Sequence, residues 1–111
     1  MKTLDEIKHI LSERKSWLCE TYQITELGIF GSYARGEQTQ DSDVDVLIDY
    51  EQAPTLFKLV NLRDYLKDLT GLSVDIVTKN GLKPGIRDQV LSEVIYLEVN
   101  DNEQHQTKIL C

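Results

Sequence analysis

The 111-residue chain lacks several features that mark specialised classes of protein. No apolar run approaches the ~18–20 residues needed to cross a membrane. Residues 1–15 have no uninterrupted apolar segment of the kind found in a signal peptide. The two cysteines, Cys19 and Cys111, give neither a disulfide framework nor the spacing of a metal site. These absences predict a soluble, cytoplasmic protein without membrane association.

Positive charge is also scarce, with 12 Lys and Arg residues against 19 Asp and Glu residues, for a net charge of -7. This balance disfavours direct binding to nucleic acid, because that affinity depends on neutralising phosphates. Nucleotides are not excluded, since a bound divalent cation can reverse the sign of an acidic pocket. Hydrophobic residues make up 41% of the chain, enough for one core. We expect a single domain over residues 1–99 and a polar tail over 100–111.

The periodicity of apolar residues predicts alternating helices and strands. Thr3 and Glu6 have the spacing of a capping box at the start of the first helix, and Ser32 is the expected cap of a short one. The predicted elements are helix 4–21, strand 26–30, helix 32–35, strand 44–49, helix 55–70, strand 73–78, a helix from Pro84, and a short strand 95–99. The order predicts an α/β fold, with α+β left open, in which helices pack on a small mixed sheet.

Two aspartates stand out at the start of the second predicted strand, Asp43 directly before it and Asp45 within it. Side chains alternate along a strand, so Asp43 and Asp45 point to one face, and Val44, Val46 and Ile48 point to the other, the natural core face. Two close carboxylates repel each other unless a cation lies between them. Mg²⁺ suits such hard oxygen ligands. An Asp-x-Asp motif alone is weak evidence, and a solvated acidic loop is the competing interpretation.

Asp75 repeats the pattern on the third predicted strand, between the inward-pointing Val74 and Ile76. If the second and third strands pair, as their order in sequence favours, this third carboxylate joins the first two. Three acids on one face could hold two ions ~4 Å apart and act on a phosphoryl displacement. Taken alone, Asp75 would be a solvent-facing strand residue.

Gly31 and Ser32 could supply hydrogen-bond donors to a phosphate, which metal ions cannot do. Glycine lets the backbone approach a phosphate, and free N–H groups where a helix begins favour an anion. Arg35 follows on the same helical side and could reach a phosphate oxygen. On their own, these residues would be a turn and a surface arginine.

Gly31-Ser32, followed by ten residues and Asp43-Val44-Asp45, resembles the signature of the DNA polymerase beta-like nucleotidyltransferase superfamily. The stretch is similar to its minimal members, the MNT domains that are often paired with HEPN proteins, and the resemblance covers residues 24–97. It implies the polymerase beta-like fold and a role in catalysis and Mg²⁺ binding for Asp43, Asp45 and Asp75. It further implies that Gly31, Ser32 and Arg35 bind the nucleotide.

The resemblance also implies a function. An MNT antitoxin would transfer AMP from ATP to a hydroxyl group, a tyrosine of a partner HEPN-domain ribonuclease toxin. Two alternatives stay open. The chain could neutralise its partner by binding alone, or it could be a small-molecule nucleotidyltransferase whose acceptor site is shared with another subunit.

Overall fold

The structure, a computed structural model, describes residues 2–97. It contains a four-stranded mixed sheet with helices on both faces, which confirms the predicted α/β fold. The elements are α1 Leu4–Ser12, α2 Lys15–Tyr22, β1 Ile24–Phe30, α3 Ser32–Arg35, β2 Val44–Tyr50, α4 Leu56–Thr70, β3 Val74–Thr78, α5 Pro84–Glu93 and β4 Ile95–Tyr96. The predicted tail 100–111, and residues 98–99 of the last predicted strand, lie outside the described residues. No helix among those described is long and apolar enough to span a membrane.

The strands lie in the order β3-β2-β1-β4. β1 is antiparallel to β2 and to β4, whereas β2 and β3 are parallel. A parallel pair needs a crossover connection, and the helix α4 provides it here. The predicted pairing of β2 with β3 is therefore confirmed, and their parallel direction decides which residues become neighbours.

The main core lies between one face of the sheet and the helices α1, α2 and α4. Val44, Val46 and Ile48 of β2 are fully buried there, as their alternation predicted. The helices contribute Ile7, Leu11, Leu18, Leu62 and Leu66. Burying a side chain of this size stabilises the fold by about 1.5–3 kcal/mol, so the face opposite the aspartates anchors the sheet.

The aspartate-bearing face is partly covered as well, by α5. Leu47 packs there with Leu82 and Val90, and all three are buried. The apolar periodicity of this segment predicts that Ile86 lies on the inner side of the helix together with Val90. That prediction is wrong for Ile86, whose side chain is 49% exposed. α5 therefore contacts the sheet through its later turns, where Val90 packs beside Leu47 of β2.

The first predicted helix is in fact two helices, α1 and α2, separated at Glu13 and Arg14. Arg14 lies outside helical geometry, with φ -109° and ψ 2°. The break re-aims the chain so that Lys15 is buried and its Nζ donates to the carbonyl oxygen of Leu97. The sequence missed the break because this contact joins residues that are far apart along the chain.

The capping box of α1 is present as predicted. The Thr3 hydroxyl accepts the Glu6 N–H at 3.2 Å, and the Glu6 carboxylate accepts the Thr3 N–H at 2.9 Å. We expect Thr3→Ala to lower the free energy of unfolding by about 1 kcal/mol, because the Glu6 N–H loses its acceptor. Urea unfolding would measure this loss. Thr21→Ala, at an exposed position of α2, is the control and should not destabilise, since alanine has the higher helix propensity. Equal losses in both variants would contradict the capping role.

Candidate functional site

The parallel strands bring two of the predicted carboxylates side by side. Asp45, near the start of β2, is in register with Asp75, near the start of β3. Asp43 directly precedes β2, where the Val44 N–H donates to the Ser73 carbonyl at 2.8 Å and continues the strand pairing. Phe30, the last residue of β1, lies opposite Asp45 on the other side. The predicted meeting of Asp45 and Asp75 on one sheet face is therefore confirmed.

Asp45 lies in an electrostatically unfavourable place. Burial raises the pKa of its carboxyl to about 6, and the charges of Asp75 and Asp43 add to that effect. Arg35 acts in the opposite direction but does not cancel it. A cation bound nearby would stabilise a carboxylate that lies against other carboxylates in this way, because the cation favours the charged form.

The donor set fits a hard divalent cation in its chemistry. Three carboxylates share one end of the sheet face, and Mg²⁺ takes oxygen ligands. Within residues 2–97, however, no three acidic, histidine or cysteine side chains already stand at metal-binding spacing. Asp43 and Asp75 are exposed, so each can rotate about its side-chain bonds without disturbing the core. The cluster therefore has ligands of the right chemistry for a hard divalent cation.

Gly31 lies directly against the carboxylate of Asp45. Its φ of 79° and ψ of -153° form a conformation that is essentially restricted to glycine. A Cβ at this position would lie 3.0 Å from Asp45 Cγ and would overlap Oδ2. Gly31 also precedes α3, so Ser32 is the first residue of that helix and not its cap, which corrects the expectation from sequence.

Arg35 ends α3 beside this turn and is held by two acids. Its Nε donates to Glu37 at 3.0 Å, and its Nη1 donates to both oxygens of Glu93 at 3.1 Å. These bonds, with Glu37 first, raise the pKa of the Arg35 side chain. Glu93 accepts the Gly31 N–H as well, at 2.7 Å. Sequence reasoning missed Glu93, because no local motif links α5 to the β1–α3 turn.

The sheet order, the glycine turn against Asp45 and the acids at the start of two parallel strands together define a nucleotidyltransferase type of fold and site. The nucleotidyltransferase domain family matches residues 4–97, and the chain belongs to that family.

A relative from Thermococcus cleftensis, named protein adenylyltransferase MntA, is 50% identical over 97 residues, which are 87% of this chain and 98% of the relative. A solved structure described as a minimal nucleotidyltransferase is 38% identical, with a TM-score of 0.72, and the match covers 85% of this chain and 95% of that one. A third match is the MNT antitoxin structure with the tri-AMPylated HEPN toxin of Shewanella oneidensis. It is 15% identical, with a TM-score of 0.62, covers 89% of this chain and 78% of that one, and shares the fold.

Proposed function

We propose that this chain is a protein adenylyltransferase that transfers AMP from ATP to a hydroxyl group, a tyrosine of a HEPN-domain toxin, and so acts as the antitoxin in the cytoplasm. The juxtaposition of Asp45 and Asp75, with Gly31 packed on Asp45, carries the proposal. The 50% identity to a protein adenylyltransferase over nearly its whole length supports the reaction. The AMPylated toxin bound to a fold relative supports the class of acceptor.

The proposal assigns two roles to the site. Asp43, Asp45 and Asp75 hold Mg²⁺, and Gly31, Ser32 and Arg35 bind the triphosphate. Bound Mg²⁺ would neutralise charge on the triphosphate and on the departing pyrophosphate. The close approach of Gly31 to Asp45 supports this assignment, because it brings the turn before α3 against the carboxylates. Arg35 adds a fixed positive charge next to an otherwise acidic cluster.

The reaction needs no covalent enzyme intermediate. The acceptor hydroxyl oxygen forms a bond to the α-phosphorus, the bond from that phosphorus to the bridging oxygen breaks, and pyrophosphate leaves. A carboxylate takes the hydroxyl proton, and we assign this role to Asp75, which is exposed on an outer strand where an acceptor can approach. The chain contributes mainly positioning and electrostatic stabilisation, which dominate phosphoryl-type transfers.

The decisive experiment uses purified protein, Mg²⁺ and ATP labelled in its α-phosphate, with and without the candidate HEPN partner. We expect label on the partner, lost on adding a chelator and lost in the Asp43→Ala, Asp45→Ala double variant. Label on small alcohols, but not on protein, would favour the small-molecule alternative. No label in any lane would contradict the transferase.

The non-catalytic antitoxin is tested separately, by assaying the ribonuclease activity of the partner. Binding alone would neutralise the partner equally well with the wild type and with the double variant. Catalysis requires that only the wild type, supplied with Mg²⁺ and ATP, silences the partner at less than equimolar amounts. If an equimolar amount of the double variant silenced the partner, we would conclude that the chain neutralises it by binding alone.

A further inference from the structure

Glu93 connects the last turn of α5 to the turn that the proposed function assigns to the triphosphate. Its carboxylate accepts the Gly31 N–H at 2.7 Å and the Arg35 Nη1 at 3.1 Å. Both bonds join residues that are distant in sequence, and in the bond to Arg35 both the donor and the acceptor are charged. Charge-assisted bonds of this kind are shorter and stronger than neutral ones. Glu93 therefore fixes the peptide between Phe30 and Gly31 and one edge of the Arg35 guanidinium at the same time.

The backbone that carries Glu93 is itself held firmly. Val94, the next residue, packs so closely on β1 that a Cβ at Gly28 would come within 2.7 Å of its Cγ2. Val90, one turn earlier, is buried against Leu47 of the sheet. Glu93 thus projects from a segment that is docked on the sheet on either side of it. Side chains that orient functional groups act well only when their own supports are rigid.

A carboxylate bound to phosphate-binding donors has two physical interpretations. It could be an internal anion that occupies the place of a phosphate and leaves when the nucleotide arrives. Alternatively, it could be a permanent support that stays under the turn. Exposure separates the two, since the Glu93 side chain is 16% exposed and the Arg35 side chain is 40% exposed. An anion that leaves when the nucleotide arrives would be at least as open to solvent as the arginine, whereas Glu93 is more enclosed than Arg35.

We propose that Glu93 is a positioning residue that acts through Gly31 and Arg35 and presets the phosphate-binding turn for the nucleotide. This inference rests on the proposed function, because it takes that turn to be the triphosphate site. Glu93 does not touch the substrate. It keeps the Arg35 guanidinium in one orientation, so that less conformational freedom is lost when a phosphate binds.

The test compares Glu93→Ala with Glu93→Gln in the full-length protein. Both substitutions remove the same negative charge, but the glutamine retains an oxygen that can accept the Gly31 N–H. If Glu93 is a permanent support, Glu93→Ala should weaken AMP-PNP binding about tenfold in the presence of Mg²⁺. The KM for ATP should rise by the same factor, and kcat should stay nearly unchanged. Glu93→Gln should stay within about threefold of the wild type, because the acceptor is retained.

Glu37→Gln is the matched control, because Glu37 also pairs with Arg35 but its side chain is 66% exposed. Exposed pairs contribute little, so this variant should bind AMP-PNP within about twofold of the wild type. Tighter binding by both Glu93 variants would overturn the support and identify a displaced anion. Unchanged binding by Glu93→Ala would overturn it as well.

Two further readouts keep the inference testable. Should Glu93→Ala fail to fold by circular dichroism, Glu93→Gln still decides, because a displaced anion predicts tighter binding than the Glu37→Gln control, which removes an equal charge, whereas a support predicts no such gain. Calorimetric binding of AMP-PNP is independent of transfer. A wild type that binds nucleotide but labels no acceptor would overturn the proposed function. The AMP-PNP affinities of the variants relative to the wild type would still test the role of Glu93. A wild type that binds no nucleotide would overturn both.

Discussion

Asp45→Asn is expected to cause a large loss of AMP transfer while making the metal-free protein more stable at neutral pH. In the proposed site, Asp45 is the carboxylate flanked by both of the other acids. Replacing it removes a metal ligand and an interaction that matters most in the transition state. We expect kcat to fall by roughly a thousandfold, about 4 kcal/mol of lost transition-state stabilisation. Steady-state labelling of the partner would measure the loss.

The gain in stability follows from the direction of the pKa shift. Folding raises the pKa of Asp45 from 3.8 to about 6, so its ionisation lowers the free energy of unfolding as pH rises through that interval. Without solvent screening, this difference in pKa would lower the free energy of unfolding by about 3 kcal/mol. Since Asp45 is only half-buried, solvent screening reduces our expectation to about 1 kcal/mol. The penalty is complete above the folded pKa and absent below the unfolded one.

Urea unfolding with chelator present, repeated across this pH range, would measure the effect. At neutral pH, Asp45→Asn should have a higher free energy of unfolding than the wild type. The two free energies should converge below pH 3.8, where the wild-type carboxyl is protonated in both states. Added Mg²⁺ should stabilise the wild type and not the variant, because a ligand stabilises a protein by binding its folded state and the variant lacks one of the proposed metal ligands. A variant less stable than the wild type at every pH would contradict the assignment of Asp45.

Gly31→Ala carries the second large expected effect. The substitution forces a Cβ onto Asp45 Oδ2 and places an alanine at a φ of 79°. We expect the free energy of unfolding to fall by about 3 kcal/mol, from backbone strain and the displaced carboxylate together. Transfer should fall at least about a hundredfold, since shifts of the order of 1 Å in a reacting group have effects of that size.

Gly71→Ala separates the two causes. Gly71 ends α4 with a φ of 74°, and a Cβ there would have no atom within 4 Å. This variant should therefore show the backbone strain alone, about 1 kcal/mol, with transfer unchanged. Chemical unfolding and partner labelling of both variants, side by side, make the comparison. Equal activity losses at the two glycines would show that general destabilisation, and not the clash with Asp45, affects catalysis.

The parts of this site that could be predicted are those encoded locally. Alternation of β-branched residues placed Asp45 and Asp75 on one face, and the order of the strands made their pairing the simplest topology. The glycine turn followed from the resemblance and from residue type. These features depend on a few neighbouring residues, so a single sequence carries their signal.

The parts that could not be predicted depend on contacts between distant segments. The break at Arg14 accompanies the burial of Lys15 against the end of the described chain. The exposure of Ile86 follows from how α5 docks on the sheet. Glu93 has no signal at all in the sequence, since an acid at the end of a helix is ordinary until its partners are known. Tertiary packing decides each of these cases.

The parallel pairing of β2 and β3 also has a consequence for how the protein acquires its activity. Gly31 and Asp45 are joined by a short stretch of chain, but Asp75 reaches them only after the whole α4 crossover has docked. Contacts that close long loops form slowly compared with local ones, because their entropy must be lost first. Catalytic competence during refolding should therefore lag behind the formation of helices. Recovery of activity would therefore report the docking of β3 on β2.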